Sequence, residues 1–154
     1  MNISYEPPGK YYEDLKTGDV YLTVSRTVTE ADVMNFCGVS GDFNQLHTDI
    51  EFARETTFQK RIAHGLCGMA IASGCLSRTG LIEGTTIAFA GIENWMFTSP
   101  IFFGDTIRVL VRVAEKKETR RKDGGLVKFD LEVQNQEREI CQKGTWVLLM
   151  RKKG

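Results

Sequence analysis

Gly65-Leu-Cys-Gly-Met-Ala-Ile-Ala-Ser-Gly-Cys-Leu76 carries no charge, and Ser73 is its one polar side chain. Such a run is either a continuous strand or a helix. Gly68, Ala70, Ala72 and Gly74 disfavour a strand and suit a helix in a tight sleeve. A helix that is apolar on every face is expected to be buried on every face. This one is too short to cross a bilayer, which takes roughly 20 apolar residues. Ser77-Arg-Thr-Gly80 ends it.

The chain downstream reads as the sleeve. Thr86–Phe97 is a strand rich in Ile, Phe and Trp, and Pro100 with Gly104-Asp105 makes a turn. Thr106–Val113 alternates, with Ile107, Val109, Val111 and Val113 on one face. Glu115–Gly125 is a charged hairpin end. Val127, Phe129, Leu131 and Val133 alternate with Lys128, Asp130 and Glu132, and Cys141–Met150 supplies a last strand with Trp146.

Upstream, Pro7-Pro8-Gly9 makes residues 1–19 a loosely structured lead-in. Val20–Val28 is a strand. Thr29 then caps a short helix that opens with Glu30 and Asp32 and runs to about Cys37, where Gly38 can end it. Asp49 caps a second short helix through Glu51, Phe52 and Ala53, and Thr56–Arg61 is a connector. Strand, short helices, buried helix and then closely spaced strands is an α+β order. Turns that short imply antiparallel neighbours. The sheet must curve to enclose a helix without a polar face. With no repeat, low-complexity segment or linker, residues 1–154 read as one domain.

Lysines and arginines number 20, as do aspartates and glutamates, so the formal net charge is zero. Nothing there draws the chain to nucleic acid or an anionic membrane. Cys37, Cys67, Cys75 and Cys141 form no CxxC pair and read as reduced, buried hydrophobes. The first ten residues lack the apolar core of a secretory signal, so the expected location is the cytoplasm.

The chemistry concentrates before the apolar helix, in Val39-Ser-Gly-Asp-Phe-Asn-Gln-Leu-His-Thr48 and Ile62-Ala-His-Gly65. Gly41 lets the backbone turn sharply. A carboxylate, Asp42, and an imidazole, His47, held on either side of one water can share the movement of its protons. The plainer reading makes Asp42 a helix cap with His47 packed nearby. His64 is either a second acid-base group or an orienting residue for the loop. Asn44 either touches substrate or bonds its own backbone. A metal site from Asp42, His47, Asp49 and His64 lacks any HExxH pair or cysteine quartet, and no metal is expected. Lys116, Lys117, Arg120, Arg121 and Lys122 are either phosphate contacts or a solvated hairpin end. Trp95, Phe97, Phe102 and Phe103 either line an acyl tunnel or are core.

Gly41-Asp-Phe-Asn-Gln-Leu-His47, Ile62-Ala-His-Gly65 and the apolar helix resemble the MaoC-like dehydratases, the (R)-specific enoyl-CoA hydratase family. Tyr12–Asp19, Arg26–Asp32 and Pro100–Thr106 carry the resemblance along nearly the whole chain. It implies the hot-dog fold, a curved antiparallel sheet around one long helix, and a homodimer or higher homo-oligomer. It also implies that Asp42 and His47 hold the catalytic water, that Ser73 supports them, and that the Gly65 N–H meets the thioester oxygen. The family usually has proline where this chain has Gln45. The implied reaction is reversible hydration of a trans-2-enoyl-CoA to a (R)-3-hydroxyacyl-CoA, with coenzyme A only as part of the substrate and no separate cofactor. The alternatives are a dehydratase for a branched, dicarboxylic or carrier-protein-bound acyl thioester, a thioesterase on the same fold, or a non-catalytic acyl-CoA-binding subunit.

Overall fold

Residues 6–154 are described by a computed structural model. Four long strands form the body of one antiparallel sheet: β3 (Thr86–Phe97), β4 (Thr106–Glu118), β5 (Gly124–Gln134) and β6 (Ile140–Arg151). Two short strands, β1 (Val20–Leu22) and β2 (Arg26–Thr27), both pair with β4. The order across the sheet is β1-β4-β5-β6-β3, which leaves β3 at an edge. Bulges interrupt the register in β3 against β6, at Val113/Glu115 and at Val133/Gln134. Each bulge sharpens the local twist and bends the strand. The curved sheet holds the helix α4 (Gly65–Ser77), whose Cys67, Ile71, Ala72, Cys75 and Leu76 share one core with Val109, Val111, Phe129, Leu131 and Leu148.

The expected strand over Val20–Val28 is broken. Thr23 still takes the Val109 carbonyl through its backbone, but its hydroxyl accepts from the Val109 N–H at 2.9 Å. A side chain thus occupies a ladder position, and regular pairing lapses until Arg26. The first helix, α1 (Glu30–Ser40), is capped by Thr29 in a capping box with Asp32, as expected. It does not stop at Gly38. Gly41 ends it with φ 77°, its N–H donating to the Cys37 carbonyl at 2.8 Å. A glycine inside a helix costs only about 1 kcal/mol, too little to stop one that has a better cap three residues on.

Two further expectations need correction. The lead-in is not loose where it is described (residues 1–5 lie outside the described residues). Gly9 and Lys10 donate to the carbonyls of Glu83 and Leu81, and Leu15 is fully buried. Tyr12 is buried against Gly125, where an added Cβ would stand 2.5 Å from the ring. The aromatic anchor outweighs the prolines beside it. Nor is α4 buried on every face. Leu66, Ala70, Ser73, Gly74 and Ser77 are exposed along one side. A single sheet covers only the face it meets.

Gly41 joins α1 to the segment that carries Asp42, and its left-handed conformation disfavours any Cβ. Gly41→Ala is expected to lower the unfolding free energy by about 1–2 kcal/mol. A urea melt with unchanged slope and a lower midpoint would show this.

Candidate active site

After Gly41 the chain forms two short helices, α2 (Gln45–Thr48) and α3 (Ile50–Arg54). Asn44 caps α2 by accepting from the Leu46 N–H, and Asp49 caps α3 by accepting from the Glu51 and Phe52 N–H groups. Asn44 is therefore engaged with its own backbone, the plainer of its two readings. Gln45 is the first residue of α2, and His47 sits within this helix rather than in a loop. At a first helical position proline is well tolerated because its missing N–H would have no helical partner. With Gln45 in that place the helix still forms, and His47 stands on a formed turn.

His47 is nearly buried, and its Nδ1 lies 2.7 Å from the Ile62 carbonyl oxygen. A carbonyl only accepts, so Nδ1 carries the proton and Nε2 is left as a lone pair. His64 is oriented in the opposite sense. Its Nε2 donates to the Asp42 carbonyl at 2.9 Å, with the Asp42 Oδ2 at 3.9 Å. The His64 Nδ1 is buried without a partner among the described residues. The two rings lie face to face, 3.6 Å between centroids and tilted by 31°. Asp42 is half exposed, and its Oδ1 accepts from the Asn44 N–H. Burial is the main influence on His47 and pushes its pKa below 6.5. The Ile62 carbonyl and Asp42 oppose that push, while the neighbouring His64 adds to it.

One ligand atom from each of Asp42, His47 and His64 falls within 4.8 Å of the others. Two hydrogen bonds of about 2.8 Å to one water span roughly that gap. The Nδ1 of His47 and the Nε2 of His64 already face carbonyl oxygens, which leaves one nitrogen on each ring for an ion.

These groups border a cavity of about 500 Å³. Gly65 forms its wall at the start of α4, where the N-cap residue His64 makes no side-chain cap bond. The first N–H groups of a helix have no partner within it and carry partial positive charge. Here they begin at the cavity. An added Cβ on Gly65 would stand 2.6 Å from the Phe97 ring, so any side chain there must displace that aromatic.

Asp42, His47, His64 and Gly65 thus meet at one cavity. Ser73 does not join them within the chain. It is exposed, eight residues and about 12 Å further along the helix. Of the expected tunnel aromatics only Phe97 lines the cavity. Trp95 stacks on Trp146, while Phe102 and Phe103 lie beneath Lys60 and Arg61. Phe36 and Phe58 take their place, and Ser99, Ile101 and Gln142 complete a wall that sequence reasoning missed. Gln142 had a signal. It is in phase with Trp146, Leu148 and Met150 on the inward side of its strand, where an amide is out of place. None of the basic hairpin residues reaches the cavity; Lys116 donates to the Leu15 carbonyl and Arg121 pairs with Asp123. All four cysteines are free and buried, and burial raises the Cys67 and Cys141 thiols to about 11. No helix among the described residues is long and apolar enough to cross a membrane.

Comparison with known proteins identifies the family and the fold. The MaoC like domain matches residues 14–135. Protein MaoC of Klebsiella aerogenes is 40% identical over 113 residues, covering 73% of this chain but 32% of that protein. The chain therefore spans about a third of that relative's length. The (R)-specific enoyl-CoA hydratase of Rhodospirillum rubrum is 32% identical over 103 residues, 67% of this chain and 69% of that protein. A solved MaoC-like dehydratase from Rhodospirillum rubrum superposes with a TM-score of 0.84 at 28% identity, covering 95% of this chain and 99% of that one.

The depressed His47 pKa has two consequences with one sign. The folded imidazole stays neutral to lower pH than the unfolded one, so the stability it contributes is lost as pH falls below 6.5 through its folded pKa. Nitrogen-detected NMR should show His47 titrating below 6.5, with Nδ1 protonated throughout. A midpoint above that value would contradict the burial argument.

Proposed function

Because the chain belongs to the MaoC-like dehydratase family, whose members share the hot-dog fold, and its relatives are hydratases and dehydratases, we propose that it adds water reversibly to a trans-2-enoyl-CoA. The product is the (R)-3-hydroxyacyl-CoA, in keeping with the Rhodospirillum relative's name. The observation that carries this reading is the His47 tautomer. With Nδ1–H given to Ile62, Nε2 is the accepting nitrogen of a ring that lies within 4.8 Å, atom to atom, of an Asp42 carboxylate oxygen at the cavity.

The chemistry then follows from position. Asp42 and His47 hold one water between them. As the water oxygen bonds to the β-carbon, one of its protons passes to the dyad. The double-bond electrons move onto the thioester oxygen, where the Gly65 N–H meets the developing charge. A proton from the dyad then reaches the α-carbon as the carbonyl re-forms. Atoms and charge balance with water alone, and the step calls for no redox group. His64 orients the loop through the Asp42 carbonyl.

The same reading includes a homodimer. β3 is an edge strand, and Phe89, Ile92, Met96 and Phe97 are 45–55% exposed along it. Leu66 on the open face of α4 is 60% exposed. An unpaired apolar edge invites another strand, and a second copy offers the matching one. Leu66 and Phe97 also line the cavity, so a copy seated on this face would border the site.

Two measurements test the reading. Crotonyl-CoA should lose its enoyl absorbance without release of free thiol, and Asp42→Asn or His47→Gln should each slow this at least about a hundredfold, the scale of a positioned acid-base group. Thiol release, or near-normal turnover in either variant, would sink the assignment. Sedimentation at micromolar concentration should show a dimer; monomer alone would remove the proposed pairing of β3.

A further inference from the structure

The cavity wall holds one buried polar side chain that this reaction leaves unused. Gln142 on β6 is 2% exposed, and its Nε2 donates to the Gly65 carbonyl at 3.0 Å. Because that carbonyl only accepts, the amide has one orientation: its NH₂ faces Gly65 and its oxygen faces away. The Oε1 is buried with no partner among the described residues. The amide is also pressed against α4 at a second glycine. A Cβ on Gly68 would stand 2.3 Å from the Gln142 Nε2 and 2.8 Å from Ile101. Phe97, which pairs with Gln142 across the β3–β6 ladder, covers Gly65. Two neighbouring strands thus each place one side chain on the first turn of the helix.

This is a poor way to gain stability. A buried carbonyl oxygen without a partner is costly, whereas an apolar side chain of the same length has no such group to strand. We infer that Gln142 is a positioning residue, tethering the first turn of α4 to the sheet so that the Gly65 N–H stays fixed at the cavity. The inference rests on the reading of Gly65 as the donor to the thioester oxygen. The helix's own ladder restrains the Gly65 carbonyl only along the axis, and helix ends fray. The Gln142 bond restrains it from outside the helix, and Gly68 is the residue that lets the amide approach.

The test uses the full chain, nitrogen-15 labelled, as wild type, Gln142→Met, Gly68→Ala and the double variant. Gln142→Met keeps the length of the side chain and removes the donor. It should hold or raise Tm and move the Gly65 amide resonance. With crotonyl-CoA, kcat should fall about tenfold while KM stays within about twofold, the scale and pattern of one neutral hydrogen bond acting in the transition state. Gly68→Ala should act in the same direction by pushing the amide away. The double variant should be no slower than the slower single one, because both remove one interaction. A Gly65 amide that does not respond to Gln142→Met overturns the tether. So does a fall in Tm with kcat per folded molecule intact, or a double variant whose losses multiply. The amide readout needs no turnover. A wild type inactive on crotonyl-CoA would count against the proposed reaction while the Gly65 response still decided the tether.

Discussion

Two histidines stitch together two segments that lie apart in sequence, and each uses the other's backbone to do it. His47 donates to the carbonyl of Ile62, and His64 donates to the carbonyl of Asp42. The segment after α1 and the segment before α4 are therefore joined by reciprocal bonds, with the rings stacked between them. Each bond also selects a tautomer. The stitch that sets the shape of the site is the same feature that leaves the Nε2 of His47 free to accept. Protonating that nitrogen does not touch the donor bond, so the proposed acid-base function and the framework that holds it are chemically separable.

The start of α4 depends on this stitch. His64 is its N-cap residue, yet the ring is turned to Asp42 and does not cap the helix. A helix start without a cap ordinarily forgoes stabilisation of about 1 kcal/mol. Here the open N–H groups lie where the proposed reaction builds negative charge, and the turn is held by its neighbours instead. Phe97 covers Gly65, and Gln142 holds its carbonyl. The glycines of the apolar run are thus not interchangeable. Gly65 and Gly68 admit specific groups, whereas nothing lies within 4 Å of a Cβ added at Gly74.

The features legible in the sequence were local ones. The Thr29–Asp32 capping box, the Asp49 cap and the self-bonded Asn44 each involve partners within three residues, so spacing alone identifies them. The alternation of β4 and β5 was legible for the same reason. The break at Thr23 was not, because it is made by the N–H of Val109, 86 residues away. The replacement of Phe102 and Phe103 by Phe36 and Phe58 in the cavity wall also depends on long-range packing. Asp42 and His47 stood out through a motif, but the tautomer on which the proposed role of His47 rests is set by a carbonyl 15 residues downstream.

The apolar run raises a subtler question about what a sequence encodes. An uncharged helix reports that its surroundings are apolar, and says nothing about whose surroundings they are. The sheet of one chain covers Cys67, Ile71, Ala72 and Leu76 and leaves Leu66, Ala70, Ser73 and Ser77 open. Had selection acted on the single chain alone, the open face would be free to carry Lys or Glu, as exposed helix faces usually do. It carries none, and neither does the strip of β3 from Ile87 to Ile92. An uncharged composition on both faces fits the proposed dimer, in which the chain's own sheet would cover one face and a second copy the other. On the proposed pairing of two copies, the tight sleeve read from the sequence would be divided between two molecules, and Ser73, exposed and remote from the dyad of its own chain, would lie on the covered side.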